Sequence, residues 1–438
     1  MARPNIVYIH SHDTGRYIQP YGHAVPTPHM QRLAEQGVLF RQCFAAGPTC
    51  SPSRAALLTG MAPHSCGMFG LAHRGWGLND YSQHILHTLR DQAGYTSALV
   101  GIQHIAGSSV KELGKKAIGY DELLEPKEWS SAAIADRACE YLRGDHAKPF
   151  FLAVGFGDTH RSYGEPCPAD DPRYTLPPAP LPDTPEVRKD FAAFKTSARR
   201  YDDGVGRVMR ELRDSGLEEN TLVINTTDHG MGVMLIMRGP GGFTGGKVVD
   251  GMVSHIDVFP TVCELLDIPK PDRLQGTSML PLVRGEKDEV NEEVFSEVTY
   301  HAAYEPKRCV RTKRWKYIKR FDDRATGVMP NCDNGFAKRD LLSYGLRERT
   351  VAPEQLYDLV FDPNEANDLA ASPDHAEVLD GMRKRLQAWM GRTNDPIPNG
   401  DVPLPDVGVT TGVDELNPSD TMYNNRGQVV DRNGTVIE

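Results

Sequence analysis

Four short apolar runs divide the N-terminal part of the chain, and each is followed by polar or glycine residues. They cover residues 5–9, 97–101, 149–155 and 221–226. Continuous apolar runs of this length are typical of parallel strands that are buried on both faces. Between the runs lie segments with helical spacing of apolar positions, of which residues 185–217 are the longest. Alternating strands and helices predict an α/β fold with a large, mostly parallel sheet flanked by helices.

The pattern changes near residue 290 and again near residue 395. The elements predicted between these points are strands at residues 294–299, 309–318 and 356–359 and a helix at residues 376–391. We therefore expect a large α/β domain over residues 1–288 and a small C-terminal α+β domain over residues 289–394. Residues 395–438 are rich in Pro, Asn, Asp and Gly, which predicts an extended tail or an arm that contacts another protomer.

Charge and composition narrow the classes of partner. The chain has 49 basic and 59 acidic residues, a net charge of −10, which argues against non-specific nucleic-acid binding. No run of 18 apolar residues occurs, so we expect no membrane span. The opening residues 1–5 lead into an apolar run too short for a signal peptide. Eight scattered cysteines without a CxxC pair favour a reduced, cytoplasmic setting.

Residues 50–60 form the most informative stretch of the sequence. We interpret them as a loop followed by a short helix, with the Cys50 thiol at the start of the helix. Pro52 suits a first helical turn, and Gly60 suits the end of the helix. Arg54 and the free N–H groups of the first turn would form a site for a tetrahedral oxyanion. A buried structural cysteine is the alternative interpretation.

Polar residues of catalytic type follow each of the four predicted strands. They are His12 and Asp13, His104, His160, and Asp228 with His229. In open α/β sheets, ligands bind at the carboxyl ends of the strands. The sequence therefore predicts that these side chains share one site, although each alone is also compatible with a surface turn or a structural histidine.

Residues 50–60 match the Cys-x-Pro-Ser-Arg-x-x-x-Leu-Thr-Gly signature at every specified position. In this the chain resembles the sulfatase family of the alkaline-phosphatase-like superfamily, and the likeness extends over roughly residues 3–391. The resemblance implies that a maturation enzyme oxidises Cys50 to formylglycine. Its hydrated aldehyde is the nucleophile in that family.

The resemblance also implies a divalent metal ion. The residues that would hold it are His12, Asp13, Asp228, His229 and the modified Cys50. Sulfatases usually have two aspartates where this chain has His12 and Asp13. Ca²⁺ is the metal expected from the family, and the nitrogen ligands make Mn²⁺ and Zn²⁺ alternatives.

The implied reaction has two steps on one residue. One hydroxyl of the aldehyde hydrate at position 50 attacks sulfur while His160 protonates the leaving amine or alcohol. Arg54 and His104 would steady the hydrate. Its second hydroxyl then expels sulfate and restores the aldehyde.

The sequence departs from the family pattern where two cations are expected. Ile102 stands where sulfatases usually have a sulfate-binding lysine, and the loop after Gly230 is too short to carry the second cation. A spacer this short allows a hairpin but not a parallel crossover. His73 and Arg74, in a glycine-rich segment similar to that of heparan N-sulfatases (sulfamidases), are the candidate substrate-binding replacements. A solvated surface pair is the alternative.

We therefore predict a sulfatase that hydrolyses a sulfate ester or an N-sulfate of a small anionic sugar or aryl compound. One alternative is a phosphate or phosphonate ester hydrolase of the same superfamily. The other is a catalytically weak or silent binding protein with the sulfatase fold. No nucleic-acid or membrane partner is expected, and the sequence leaves a homo-oligomer open.

Overall fold

The computed structural model describes residues 3–107, 113–179, 181–230 and 232–437. Its strands are β1 (Asn5–Ser11), β2 (Val38–Phe40), β3 (Cys43–Phe44), β4 (Thr96–Gly101), β5 (Glu122–Leu124), β6 (Phe150–Gly155), β7 (Thr221–Thr227), β8 (Leu235–Arg238), β9 (Lys247–Val249), β10 (Val253–Ser254), β11 (Val294–Tyr300), β12 (Tyr304–Arg311), β13 (Trp315–Arg320), β14 (Glu354–Asp358), β15 (Val409–Thr411), β16 (Met422–Asn424) and β17 (Val429–Val430). Its α-helices are α1 (Pro28–Gln36), α2 (Cys50–Thr59), α3 (Pro63–Cys66), α4 (Ile85–Ala93), α5 (Leu113–Ile118), α6 (Ser131–Leu142), α7 (Pro185–Asp214), α8 (Val258–Leu265), α9 (Leu280–Val283), α10 (Phe336–Ser343) and α11 (Ala376–Arg392).

A mostly parallel sheet forms the centre of the larger part of the molecule. Its strand order is β5-β4-β6-β1-β7-β8-β2-β9. The pairs β4–β6, β6–β1 and β1–β7 are all parallel, so the four predicted strands are immediate neighbours. Strand β8 pairs antiparallel with β7, as the short spacer after Gly230 requires. The predicted α/β sheet architecture is confirmed.

Helices cover both faces of this sheet, which explains the continuous apolar runs. Along β1, Ile6 and Tyr8 face one hydrophobic cluster, and Val7 and Ile9 face another. The second cluster includes apolar residues of α1, α6 and α7. The first includes residues of α2, α4 and α8 and continues into the C-terminal domain. Because neither face meets water, every position of the strand is selected for burial.

The smaller sheet is antiparallel, in the order β11-β12-β13-β14, and the apolar residues of α11 pack with it. The small C-terminal α+β fold is thus confirmed, with one correction. The single strand predicted over residues 309–318 is the hairpin of β12 and β13. Thr312 turns the chain there, because its side chain accepts a hydrogen bond from the Trp315 N–H at 3.0 Å.

The C-terminal segment does not form an extended tail. Strands β15, β16 and β17 make a three-stranded antiparallel sheet with a small apolar cluster of its own. The Thr411 N–H donates to the Ala302 carbonyl at 2.8 Å, which fastens this sheet to the C-terminal domain. Tight turns between these short strands are formed by the Pro, Asn, Asp and Gly residues of the segment. The same residue types are common in disordered segments, so composition alone does not distinguish the two.

Two observations concern the predicted absence of a membrane span and of disulfide bonds. In the part of the chain that the structure describes, no helix is both long and apolar enough to cross a membrane. All eight cysteines have free thiols. The cytoplasmic location inferred from the sequence stays a prediction.

A buried ionic cluster joins the two domains. Arg308 of β12 binds the Asp395 carboxylate with two nitrogens, Nε to Oδ2 at 2.5 Å and Nη2 to Oδ1 at 2.9 Å. The Glu297 carboxylate of β11 lies 3.4 Å from the same Nε. Glu297 also accepts from the His64 backbone N–H at 2.5 Å. Because α3 carries His64, the large domain is tied to the small one through these charges.

Removing Arg308 should destabilise the protein strongly. Arg308→Ala leaves Asp395 and Glu297 buried without their cation, which costs about 3–5 kcal/mol. The matched control is Arg314→Ala, because Arg314 binds Asp358 at 2.7 Å but its side chain is 52% exposed. An exposed pair contributes only about 0–1 kcal/mol. Thermal unfolding of both variants tests this, and equal midpoints would show that the cluster does not stabilise the domain contact.

Candidate active site

The sheet brings the predicted site residues to one edge. Strands β4, β6, β1 and β7 are adjacent, and their carboxyl ends lead to His104, His160, Asp13 and Asp228, respectively. The loop after β1 is bonded to the loop after β6, because the Thr159 N–H donates to the His12 carbonyl at 2.7 Å. The site predicted from strand ends is therefore assembled as expected.

The Asp228 carboxylate is the centre of this arrangement. Its Oδ2 accepts from Arg54 Nη2 at 2.9 Å and lies 3.0 Å from His12 Nδ1. Its Oδ1 accepts from the backbone N–H groups of Asp13 and His229, each at 2.8 Å. Burial alone would raise the pKa of Asp228, but the Arg54 guanidinium holds it well below its usual range. Asp228 is therefore an ionised carboxylate that fixes four neighbours.

Cys50 is the first residue of α2 and is 4% exposed. Its Sγ lies 3.2 Å from His229 Nε2. Ligand atoms of His12, Asp13, Cys50 and Asp228 all lie within 4.8 Å of one another. Burial, with the nearby Asp228 carboxylate, raises the pKa of the Cys50 thiol well above its usual range. A thiol whose pKa is raised in this way is a weak nucleophile.

Arg54 is a buried residue of the helix α2 that begins at Cys50. Its Nη2 donates to the Ser11 carbonyl at 3.0 Å, and its Nη1 contacts His10 Nδ1. Burial and the Arg54 charge lower the pKa of His10, so the neutral ring accepts from the guanidinium. His10 was not predicted as a site residue. The sequence feature that could have indicated it is its position, a polar residue at the end of an apolar strand. The buried Arg54 Nε has no hydrogen-bond partner in the part of the chain that the structure describes.

These residues fit a divalent metal ion. Among the described residues, the buried atoms Asp13 Oδ1 and His12 Nδ1 have no hydrogen-bond partner. Carboxylate oxygens and imidazole nitrogens converge here, a donor set that suits Mn²⁺ or Zn²⁺ as well as Ca²⁺. His229 Nε2 lies 3.0 Å from Asp13 Oδ1, which keeps it beside the same group.

Three further histidines lie around His12. The ring of the exposed His160 packs against the His12 ring at 4.9 Å between centroids, and its Nδ1 donates to the Arg161 carbonyl at 2.6 Å. The rings of His104 and His73 stack, with His73 Nδ1 and His104 Nε2 3.0 Å apart. A ring nitrogen of His104 lies within 4.8 Å of Cys50 Sγ and of a His12 nitrogen. His104, His160 and His73 are thus brought together.

Arg74 has a different environment from the one expected of a sulfate-binding cation. It is buried, and its Nη1 donates to the Ala302 carbonyl and to Thr411 Oγ1, each at 3.2 Å. Its Nη2 donates to the Pro418 carbonyl at 2.7 Å. Both terminal nitrogens thus bind groups in the C-terminal half of the chain. Arg74 therefore stabilises the position of the three-stranded sheet of β15, β16 and β17, which we call the tail sheet.

The C-terminal domain adds a residue that the sequence analysis missed. A carboxylate oxygen of Asp333 lies within 4.8 Å of ligand atoms of Asp13 and His160. Asp333 stands in a loop before α10, outside every motif recognised in the sequence. The chain contains no local signal for it, because only the packing of the two domains brings this loop to the site.

Comparison with known proteins gives the family. Residues 4–268 match the family model described as Sulfatase. The chain belongs to the sulfatase family. Residues 226–331 also match a model described as N-sulphoglucosamine sulphohydrolase, C-terminal.

Relatives of this sulfatase include proteins with named activities. The chain is 29% identical to human N-sulphoglucosamine sulphohydrolase, over 90% of this chain and 91% of the human protein. It is 28% identical to an ulvan-active sulfatase of Formosa agariphila, over 92% of this chain and 83% of that protein. The predicted family and the predicted class of enzyme, a sulfuric ester hydrolase, are confirmed.

A solved structure shares the fold. It is described as a complex with the substrate D-glucosamine-2-N,6-O-disulfate, and it matches with a TM-score of 0.70 and 18% identity. The match covers 90% of this chain and 99% of that one. The likeness confirms the sulfatase fold, and the roles of individual site residues stay predictions.

We expect Arg74→Ala to loosen the tail sheet of this sulfatase. The substitution removes three charged hydrogen bonds from Ala302, Thr411 and Pro418. Amide hydrogen exchange over β15 and β16 should rise about tenfold or more, since each such bond contributes about 1.5–3 kcal/mol. The exposed Arg426 offers a control variant, Arg426→Ala, in the same segment. Unchanged exchange in Arg74→Ala would show that Arg74 does not hold the tail.

Proposed function

We propose that this sulfatase hydrolyses the N-sulfate of an amino sugar and releases inorganic sulfate. The observation that carries the proposal is the position of Cys50, at the start of α2 and within 4.8 Å of His12, Asp13 and Asp228. The similarity to human N-sulphoglucosamine sulphohydrolase over nearly the full length of both chains supports the choice of an N-sulfate.

We assign one divalent metal ion to His12, Asp13, Asp228, His229 and the modified Cys50. When bound, such an ion offsets charge on the sulfate oxygens and favours the ionised nucleophile. The chain's own contribution is to hold these ligands. Arg54 and two backbone N–H groups fix Asp228, and the bond between Thr159 and the His12 carbonyl fixes the β1 loop.

The nucleophile in this proposal is formylglycine, made from Cys50 by a maturation enzyme. The hydrated aldehyde supplies a hydroxyl where the Cys50 thiol is held protonated. Arg54 is the residue that would steady it, because its buried Nε has no hydrogen-bond partner among the described residues. The helix start adds unpaired N–H groups that favour an anionic oxygen.

His160 is the proposed acid for the leaving group. Its Nδ1–H is bonded to the Arg161 carbonyl, so a proton on Nε2 is the one available to the pocket. Transfer by a positioned imidazole contributes about 10²–10⁴-fold to a rate. His104 and His73 are proposed to contact the sulfate, in place of the missing lysine at Ile102.

One observation favours a second candidate, a weak or silent sulfatase. Two expected cations are absent from the sequence, and Arg74 is engaged by the tail rather than free. Removing one charge-stabilising donor typically costs about 10²–10³ in rate. A measurable turnover number therefore decides between the two candidates.

The decisive assay measures sulfate release from N-sulfoglucosamine by protein produced together with a formylglycine-generating enzyme. We expect turnover by the wild type and a loss of at least about a thousandfold in Cys50→Ala, because the nucleophile is gone. Cys139→Ala, which alters a buried cysteine on α6, serves as the control and should keep the activity.

Release of sulfate by Cys50→Ala at the wild-type rate would refute the role of Cys50. Faster hydrolysis of an aryl phosphate than of any sulfated compound would favour the phosphatase alternative. A matured protein that releases no sulfate from any sulfated sugar would leave the silent candidate.

A further inference from the structure

Asp333 brings a negative charge to a site that must accept an anionic substrate. A carboxylate oxygen of Asp333 lies within 4.8 Å of ligand atoms of Asp13 and His160. Among the described residues no side chain donates a hydrogen bond to it, and the positive charges of Arg161 and Lys338 act on it only from farther away. Like charges at this distance repel the sulfate group, so an unneutralised carboxylate here weakens binding of any sulfated compound. A group that carries positive charge during the reaction would offset this cost.

The position of Asp333 is rigidly supported. Asn331, two residues before it, is bonded to both the N–H and the carbonyl of Ala303, at 2.8 and 3.2 Å. The buried Lys338 donates to the Cys332 carbonyl at 2.7 Å and to the Leu416 carbonyl at 2.7 Å. These bonds thus hold the backbone before Asp333 against the turn between β11 and β12 and against the C-terminal segment.

The neighbours of Asp333 indicate which part of the substrate it meets. His160, the proposed acid, acts on the leaving group, and a ring nitrogen of His160 belongs to the same three-residue group as the Asp333 carboxylate. Atoms separated by up to 4.8 Å leave room for one nitrogen that bonds to both. The space between Asp13, His160 and Asp333 therefore corresponds to the leaving-group position.

The two possible leaving groups differ in charge. Hydrolysis of an N-sulfate breaks the S–N bond, and the nitrogen keeps the electron pair, takes a proton from His160 and a second from solvent, and leaves as an ammonium ion beside free sulfate. Hydrolysis of an O-sulfate gives a neutral alcohol at the same place. A carboxylate binds the ammonium product by a charge-assisted hydrogen bond and gains nothing comparable from the alcohol.

We propose that Asp333 is a specificity-determining residue that selects substrates whose leaving group is an amine. The inference rests on the proposed function, since it assigns the sugar-amine end of the same site. It adds a residue from the C-terminal domain to a site otherwise built on strand ends of the large domain. The competing occupant of the same three side chains is a second metal ion, and the test below separates the two.

The first measurement is binding of D-glucosamine and of D-glucose to the Cys50→Ala protein by calorimetry, which needs no turnover. Adding Asp333→Asn should weaken glucosamine binding about tenfold or more, with a smaller effect on glucose, because a charged hydrogen bond is lost. Asp323→Asn removes an exposed charge of the same domain and should leave both affinities unchanged. Asp333→Ala repeats the test if the asparagine variant is poorly folded.

The second measurement compares kcat/KM for N-sulfoglucosamine and for an O-sulfated glucosamine derivative whose amine is acetylated. Asp333→Asn should lower the ratio of the two values about tenfold or more. Equal loss with both substrates, or equal loss of glucosamine and glucose affinity, would overturn the inference. So would loss of a bound metal equivalent from Asp333→Asn in elemental analysis, which would make Asp333 a metal ligand.

A different result would refute the proposed function itself, namely a wild-type protein that releases no sulfate from N-sulfoglucosamine. The glucosamine affinities of Cys50→Ala with and without Asp333→Asn still report whether Asp333 meets an amine.

Discussion

The buried Asp228 carboxylate is the group on which the rest of the site depends. It receives Arg54 from α2, His12 and the Asp13 N–H from the β1 loop, and the His229 N–H from its own loop. An anion buried this deeply is stable only with such partners, so the loops after two strands and the start of a helix are held in one geometry. The positions of the proposed nucleophile and of the proposed metal ligands follow from that single constraint.

Much of this could be predicted from sequence because the information is local. Apolar runs predict the strands, and the polar residues that follow them lie at one edge in any parallel sheet. The motif at residues 50–60 predicts the start of α2 at Cys50, which the structure confirms, and the reactivity of Cys50 stays a prediction. The missing crossover after Gly230 was visible as a short spacer and is the β7–β8 hairpin.

The parts that could not be predicted depend on contacts between distant segments. Asp333 reaches the site only because the C-terminal domain packs on the strand ends. Arg74 was predicted to bind the substrate, but its guanidinium donates hydrogen bonds to Thr411 and Pro418 of the C-terminal segment. The composition of residues 395–438 is the same as that of many extended or disordered segments, so a tail was predicted. In the structure, the turn residues of this segment connect paired strands. For Asp333 and for Arg74 the partners are more than 170 residues away in sequence, a separation over which no local pattern carries information.

The most direct test of this account is metal analysis of Asp228→Asn, with Asp170→Asn as a matched buried control that binds Arg199 far from Cys50 in sequence. The amide of the variant keeps the size of the carboxylate but removes the charge that orders Arg54, His12 and the proposed metal. We predict one bound divalent ion in the wild type and in Asp170→Asn, and none in a folded Asp228→Asn protein that also releases no sulfate. Full metal content and normal sulfate release by Asp228→Asn would contradict the central role of this carboxylate.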